Sequence, residues 1–176
     1  PTCGVSMPEL TPRLFSCTSP HGACPTCSGL GPTNYFDPEL IIPDPTRSLA
    51  GGALAPWEGQ RARTDLLAGL ARHLRFSLGT PWKDLPKKVR DAVLHGSGDD
   101  EIPFVLERGH KRYEFRRPFE GVVANLERRW KETDSDWVRE ELGKYMSVRP
   151  CRTCQGARLK PEALAVRLHG KTITEV

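Results

Sequence analysis

Two Cys-x-x-Cys-x-Gly segments constrain this chain more than anything else in it: Cys24-Pro-Thr-Cys27-Ser-Gly29 and Cys151-Arg-Thr-Cys154-Gln-Gly156. Four thiolates are the ligand count of a closed tetrahedral structural zinc site. The two-residue spacer lets both sulfurs of one knuckle face a single ion, and the glycine that follows permits a tight turn at positive φ. The separation of the knuckles matters as much as their match. Zinc on Cys24, Cys27, Cys151 and Cys154 would clamp the base of a long excursion, roughly residues 30 to 148.

Other uses of paired cysteines fit less well. A thioredoxin-type redox pair needs a βαβ context, which neither flank offers. Disulfides belong to oxidising compartments, yet no signal peptide is visible and no apolar run approaches a membrane span. In a reducing cytosol, paired thiols favour metal, so the expectation is a cytoplasmic chain with no membrane partner. Pro1-Thr2-Cys3-Gly4 reads as the tail of a third knuckle whose first cysteine would precede residue 1, and the expectation is that the chain is a fragment of something larger. Cys3 is therefore a candidate separate or alternative zinc ligand, and the sequence also allows it to be read as one finger with Cys24 and Cys27. Cys17 has no partner at ligand spacing and reads as a small packed side chain. His21, close to Cys24, reads as exposed rather than as a ligand.

The 176 residues suffice for one real core or two small ones. Residues 1–56 carry ten prolines, too many for long helices. An amphipathic helix is expected over about 58–77, with Leu66, Leu67, Leu70 and Leu74 on one face and Arg61, Arg63, Arg72 and Arg75 as a solvated surround. A second follows over about 84–94. Alternating Ile102, Phe104 and Leu106, a turn at 107–110 and a returning strand from Lys111 to Arg117 make a β-hairpin. Two more helices are expected, over about 119–131 and after a cap at Asp134 or Ser135. Their stripes need one another, and the predicted core is Leu67, Leu70, Leu74, Val89, Val93, Val123, Leu126, Trp130 and Leu142. The fold class is α+β: a mostly α-helical inserted domain with a β-hairpin, attached to a loop-rich zinc module. The boundaries are 1–56 with 148–176 for the module and 57–147 for the insert.

The net charge of +4 and pI near 8.9 permit a nucleic-acid partner without demanding one. Clustering is more informative. Arg108, Lys111, Arg112, Arg116 and Arg117 fall on the hairpin with Tyr113 and Phe115 between them, and Arg128, Arg129 and Lys131 fall on the next helix. A basic ribbon can follow a phosphate backbone; equally, Lys and Arg on a ribbon edge block edge-to-edge pairing. Enzymatic signatures are absent: the sequence has no phosphate loop, nucleophile elbow or His-Glu-x-x-His helix.

Longer stretches carry a family likeness. Pro12-Arg-Leu-Phe-Ser16, His21-Gly-Ala-Cys-Pro-Thr-Cys27, Tyr35-Phe-Asp-Pro38, Arg117-Pro-Phe-Glu-Gly-Val122, Glu127-Arg-Arg-Trp-Lys-Glu-Thr133 and Arg149-Pro-Cys-Arg-Thr-Cys-Gln-Gly-Ala-Arg-Leu159 together resemble UvrA-type proteins, the damage-sensing ABC-type ATPases of bacterial nucleotide excision repair. The resemblance spans nearly the whole chain and is least distinct over 53–115. It implies part of the first signature domain plus the insertion domain held by its zinc module. It further implies a structural Zn2+, duplex DNA, damaged or not, as partner, and UvrB and a second UvrA copy as partners of the intact protein. ATP would bind only in parts of that protein outside this chain, so the fragment is expected not to be an enzyme. Ser48-Leu-Ala-Gly-Gly52 echoes the ABC signature but lacks its polar continuation. The second half of such proteins holds a comparable knuckle pair without a large insert, and this analogy favours Cys24, Cys27, Cys151 and Cys154 over a set including Cys3. The function expected is a zinc-stapled DNA-interaction module, and the alternative is a protein-docking or dimerisation module of the same ATPase.

Overall fold

The computed structural model describes residues 10–108 and 111–175, with the side chains of 107, 108 and 111 outside that description. In chain order the elements are β1 (Pro32–Phe36), α1 (Pro38–Ile41), α2 (Arg61–Leu74), α3 (Lys87–His95), β2 (Glu101–Arg108), β3 (Lys111–Pro118), α4 (Val122–Glu132), α5 (Asp136–Gly143), β4 (Met146–Pro150), α6 (Pro161–Leu164), β5 (Arg167–Leu168) and β6 (Lys171–Thr172). They fall into two compact units. One is built from the residues up to 35 together with those from 147 onward, and the other is 36–146. The architecture is α+β, with helices dominating the second unit and, among the described residues, three two-stranded sheets: β1–β4, β2–β3 and β5–β6.

In the second unit the leucine stripe of α2 works as its spacing dictates. Leu67 and Leu70 are buried, and Leu66 and Leu74 pack at the edge of the same cluster. The helix ends where Arg75 turns left-handed, at φ 56°. The expected start of α3 at residue 84 is instead a short 3-10 turn over Trp82–Asp84, after which Pro86 caps the helix proper. Val89, Val93 and Leu94 are its buried face. Ser135 caps α5, its hydroxyl accepting from the Val138 amide at 3.5 Å. Of the predicted core, Leu74, Val123 and Trp130 sit at its margin, and the other six residues are buried.

The proline-punctuated stretch 36–56, which the sequence reading leaves with the module, folds with the second unit. Phe36, Ile41, Ile42, Leu49, Ala53, Leu54 and Trp57 all lie in its core. Backbone hydrogen bonds stitch this stretch to residues 78–83: Ala50 N–H to Leu78 O at 2.9 Å, Trp82 N–H to Arg47 O at 3.0 Å and Lys83 N–H to Pro45 O at 3.0 Å. Proline prevents long helices but does not prevent burial, provided the freed carbonyls and amides find partners.

α4 begins three residues later than its apolar pattern suggests, because Gly121 stands at φ 84°. A Cβ there would lie 2.4 Å from the Gly96 amide nitrogen, and one on Gly96 (φ 97°) would lie 2.6 Å from the Phe119 carbonyl oxygen. Two backbones thus touch where α3 ends and α4 starts, an approach only glycine allows.

Candidate metal centre and nucleic-acid interface

The two knuckles converge in the first unit. Cys24, Cys27, Cys151 and Cys154 are all buried, none is in a disulfide, and their sulfurs all lie within 4.8 Å of one another. Cys24 Sγ is 3.9 Å from Cys151 Sγ, and Cys27 Sγ is 3.7 Å from Cys154 Sγ. A tetrahedron with metal–sulfur bonds of about 2.3 Å has edges of about 3.8 Å, so these two separations match the edges of a zinc site.

The two halves of the cage follow one plan. Ser28 and Gln155 both lie at φ near 50°, and Gly29 (79°) and Gly156 (92°) follow at positive φ. The Leu30 amide donates to Cys27 O at 2.9 Å, and the Ala157 amide to Cys154 O at 2.8 Å. Cross-bonds are also reciprocal. The Cys24 amide donates to Arg158 O at 2.8 Å and the Cys151 amide to Gly31 O at 2.7 Å, while the hydroxyls of Thr26 and Thr153 meet at 2.8 Å. Each half therefore completes the other, which explains why the knuckle sequences match although more than a hundred residues separate them.

Backbone amides also aim at the sulfurs. Those of Cys154 and Thr153 lower the Cys151 thiol to about 7, whereas burial pushes Cys154 up to about 11. Two thiols this close titrate as a pair, losing the first proton readily and holding the second. A bound cation removes that conflict by stabilising every thiolate at once.

The remaining sequence candidates separate from this set. Cys3 lies outside the described residues. Cys17 is half-buried beside the small apolar cluster of Leu14, Leu159 and Ala163. His21 is exposed.

In the second unit, β2 and β3 pair antiparallel from Glu101↔Pro118 to Arg108↔Lys111. Cross-strand partners share a face, and this register divides the basic residues. Arg112 and Arg116 lie on the face opposite the core, both exposed, with Glu114 between them and 2.7 Å from Arg112. Arg117 shares the other face with Phe115 and Phe104, its guanidinium 5.1 Å from the Phe115 ring. Arg108 and Lys111 pair at the tip, adjoining residues 109 and 110, which are outside the description.

On α4, Lys131 is exposed and Arg129 half-buried, but Arg128 is already engaged. Its guanidinium meets both oxygens of Glu120, at 2.7 and 3.2 Å, and Glu132 at 2.9 Å. The Arg128 hydrogen bond is the main cause that holds the Glu120 carboxyl below the usual range, and Asn125 adds a bond of 2.9 Å. Sequence reasoning did not single out Arg63 beyond a solvated helix face. In the fold it is half-buried, 5.0 Å above the Trp57 ring, and it senses Arg129, Arg128 and Arg117 as neighbouring cations. No periodicity reveals this, because the four arginines come from α2, β3 and α4.

This arrangement defines a class: a small four-cysteine module split by a helical, hairpin-bearing insert. The chain belongs to the UvrA family, the family model described as UvrA DNA-binding domain matching residues 37–144. It is 50% identical over its whole length to UvrABC system protein A of Bradyrhizobium diazoefficiens and 48% identical to that of Mesorhizobium japonicum. It spans 18% of the length of each of these curated relatives. A crystal structure of UvrA2 from Deinococcus radiodurans shares the fold, with a TM-score of 0.69 at 24% identity, covering 97% of this chain and 22% of that one.

Proposed function

We propose that this chain is a zinc-stapled DNA-interaction module of a UvrA-type protein, contributing to damage recognition in nucleotide excision repair. Cys24, Cys27, Cys151 and Cys154 hold one structural Zn2+, which supplies cross-linking energy to a unit with little apolar core. The matched DNA-binding domain coincides with the unit that carries the basic hairpin, and this is the observation that supports the DNA reading. Arg112 and Arg116, with Arg108 and Lys111 at the tip and Arg117, Arg129 and Lys131 behind them, meet phosphates rather than base edges. A damage sensor must tolerate any sequence, and phosphate contacts carry none. Arg128 acts instead as a positioning residue, holding Glu120 and Glu132. No catalytic step takes place in this chain. ATP binding, the UvrB contact and pairing with a second UvrA copy belong to the intact cytoplasmic protein.

The test is a salt titration of duplex affinity for wild type and for the double reversal R112E/R116E. Each neutralised phosphate contributes about −0.9 to the slope of log K against log salt. The variant should bind damaged and undamaged duplex more weakly and with a shallower slope. Unchanged affinity and slope would favour the second reading, docking of another protein, for which the 68% exposure of Trp137 on α5 is the supporting observation.

A further inference from the structure

Where α2, the end of β3 and the start of α4 meet, three guanidiniums line a narrow cleft, and a fourth, that of Arg129, is close enough to act electrostatically on Arg63. It measures about 80 Å³ and is lined by Arg63, Arg117, Arg128, Trp57, Phe119 and Glu120 among others. Of these arginines only Arg128 has carboxylate partners. Among the described residues, Arg63, Arg117 and Arg129 make no ion pair or side-chain hydrogen bond. The indole N–H of Trp57 is buried and likewise has no acceptor among the described residues. A buried donor without an acceptor carries a desolvation cost of about 1–3 kcal/mol.

We propose that this cleft is a seat for a single phosphate group, held by the guanidiniums of Arg63 and Arg117 and by the Trp57 indole N–H, with Arg129 as a nearby cation. An oxyanion supplies the acceptors that these groups lack, and its charge relieves the repulsion among them. Burial, followed by Arg129, lowers the Arg63 guanidinium from its ordinary value; Glu120 on the same cleft works against this, and a bound anion adds to that opposing pull. Arg128 cannot take this role, because Glu120 and Glu132 already hold its fork. Its part is to fix Glu120, and Phe119 stacks edge-on against Trp57 at 6.2 Å to fix the wall. Its unpartnered donors and cationic lining suit a tetrahedral oxyanion. The bound group is therefore a phosphate, either a phosphodiester of the duplex proposed above or a free phosphate.

The seat is tested on the full chain by titrating inorganic phosphate and following the arginine Nε–H and tryptophan indole N–H NMR signals. Arg63, Arg117 and Trp57 should shift together and saturate, and R72Q, altered on an exposed part of α2, should behave as wild type. R63Q should weaken phosphate binding on the order of tenfold, as loss of one charge-assisted pair implies. Because Arg63 also packs on Trp57, R129Q serves as a second variant that leaves that packing intact, and it should weaken binding as well. Shifts that do not saturate, or R63Q and R129Q variants that bind phosphate as wild type does, would overturn the seat. A parallel duplex titration identifies the source. A salt slope shallower by about 0.9 in R63Q makes the phosphate a DNA phosphodiester, whereas an unchanged slope with saturable phosphate makes it a free ion. Duplex that fails to bind wild type at all refutes the DNA reading and leaves the phosphate result standing.

Discussion

The two units reach stability by different routes. The insert buries a broad cluster running from Phe36 and Ile41 through Leu70, Val93, Ile102 and Phe104 to Leu126 and Leu142. Among its described residues the module buries little beyond its four thiols and the small group of Leu14, Leu159 and Ala163. A unit so short of apolar burial needs a cross-link, and here the candidate cross-link joins two segments that are remote in sequence. An insert can then grow between the knuckles, provided that it folds on its own core and that its two ends leave close together. β1 and β4, the strands on which the chain departs and returns, are paired.

The largest expected effect comes from breaking the module alone. C151S, or chelation of the metal, should remove stabilisation on the order of 10 kcal/mol from the knuckles. Residues 36–146 should keep their fold, because none of the ligands lies there. Metal analysis should give one zinc per chain for wild type and none for C151S, and hydrogen exchange should collapse only outside 36–146. Collapse of the insert core as well would show that the two units are not independently stabilised.

Next in size is the converse experiment. F104A should cost about 3–5 kcal/mol, since its ring is wholly buried against Phe115 and Phe119. Chemical denaturation should register that loss in the insert while zinc stoichiometry stays at one. Gly121→Ala should follow, at about 1–3 kcal/mol for the left-handed backbone alone, with the contact against Gly96 adding to it. A Gly121→Ala protein as stable as wild type would mean that the two backbones do not approach as described.

The smallest effect is electrostatic. The Glu120 carboxyl is lowered in the folded state, chiefly by Arg128, so its stabilisation is present above the unfolded value near 4.5 and is lost as pH falls through the lower folded value. The pair is largely exposed, and its worth is below about 1 kcal/mol. E120Q should therefore be slightly less stable than wild type at neutral pH, and the difference should vanish in acid. Thermal melts at matched salt on both sides of that window would detect it. A gap that widened toward low pH would reverse the assignment.

Much of the module is legible in the sequence because its determinants are local. A cysteine pair with a glycine turn fixes the direction of two sulfurs, whatever else the chain does, and two such pairs leave few arrangements. The helices of the insert are legible for the same reason, since the Leu67 and Leu70 stripe and the Ser135 cap are set within a turn or two of the backbone. The pairing of the hairpin strands likewise follows from the alternation around Phe104.

What the sequence by itself did not determine depends on contacts between distant segments. Proline density in 36–56 marks the absence of long helix, but only the partner segment at 78–83 decides that those residues are buried. Counting arginines on the hairpin gives one cluster, while the antiparallel register sorts them onto two faces. Arg128 and Arg63 carry the same charge in the sequence, yet tertiary structure gives one of them two glutamates and the other an indole ring. Local geometry is fixed by a few residues and survives in any context. The free energy of a charge is set by what surrounds it, and its surroundings come from every element that folds against it.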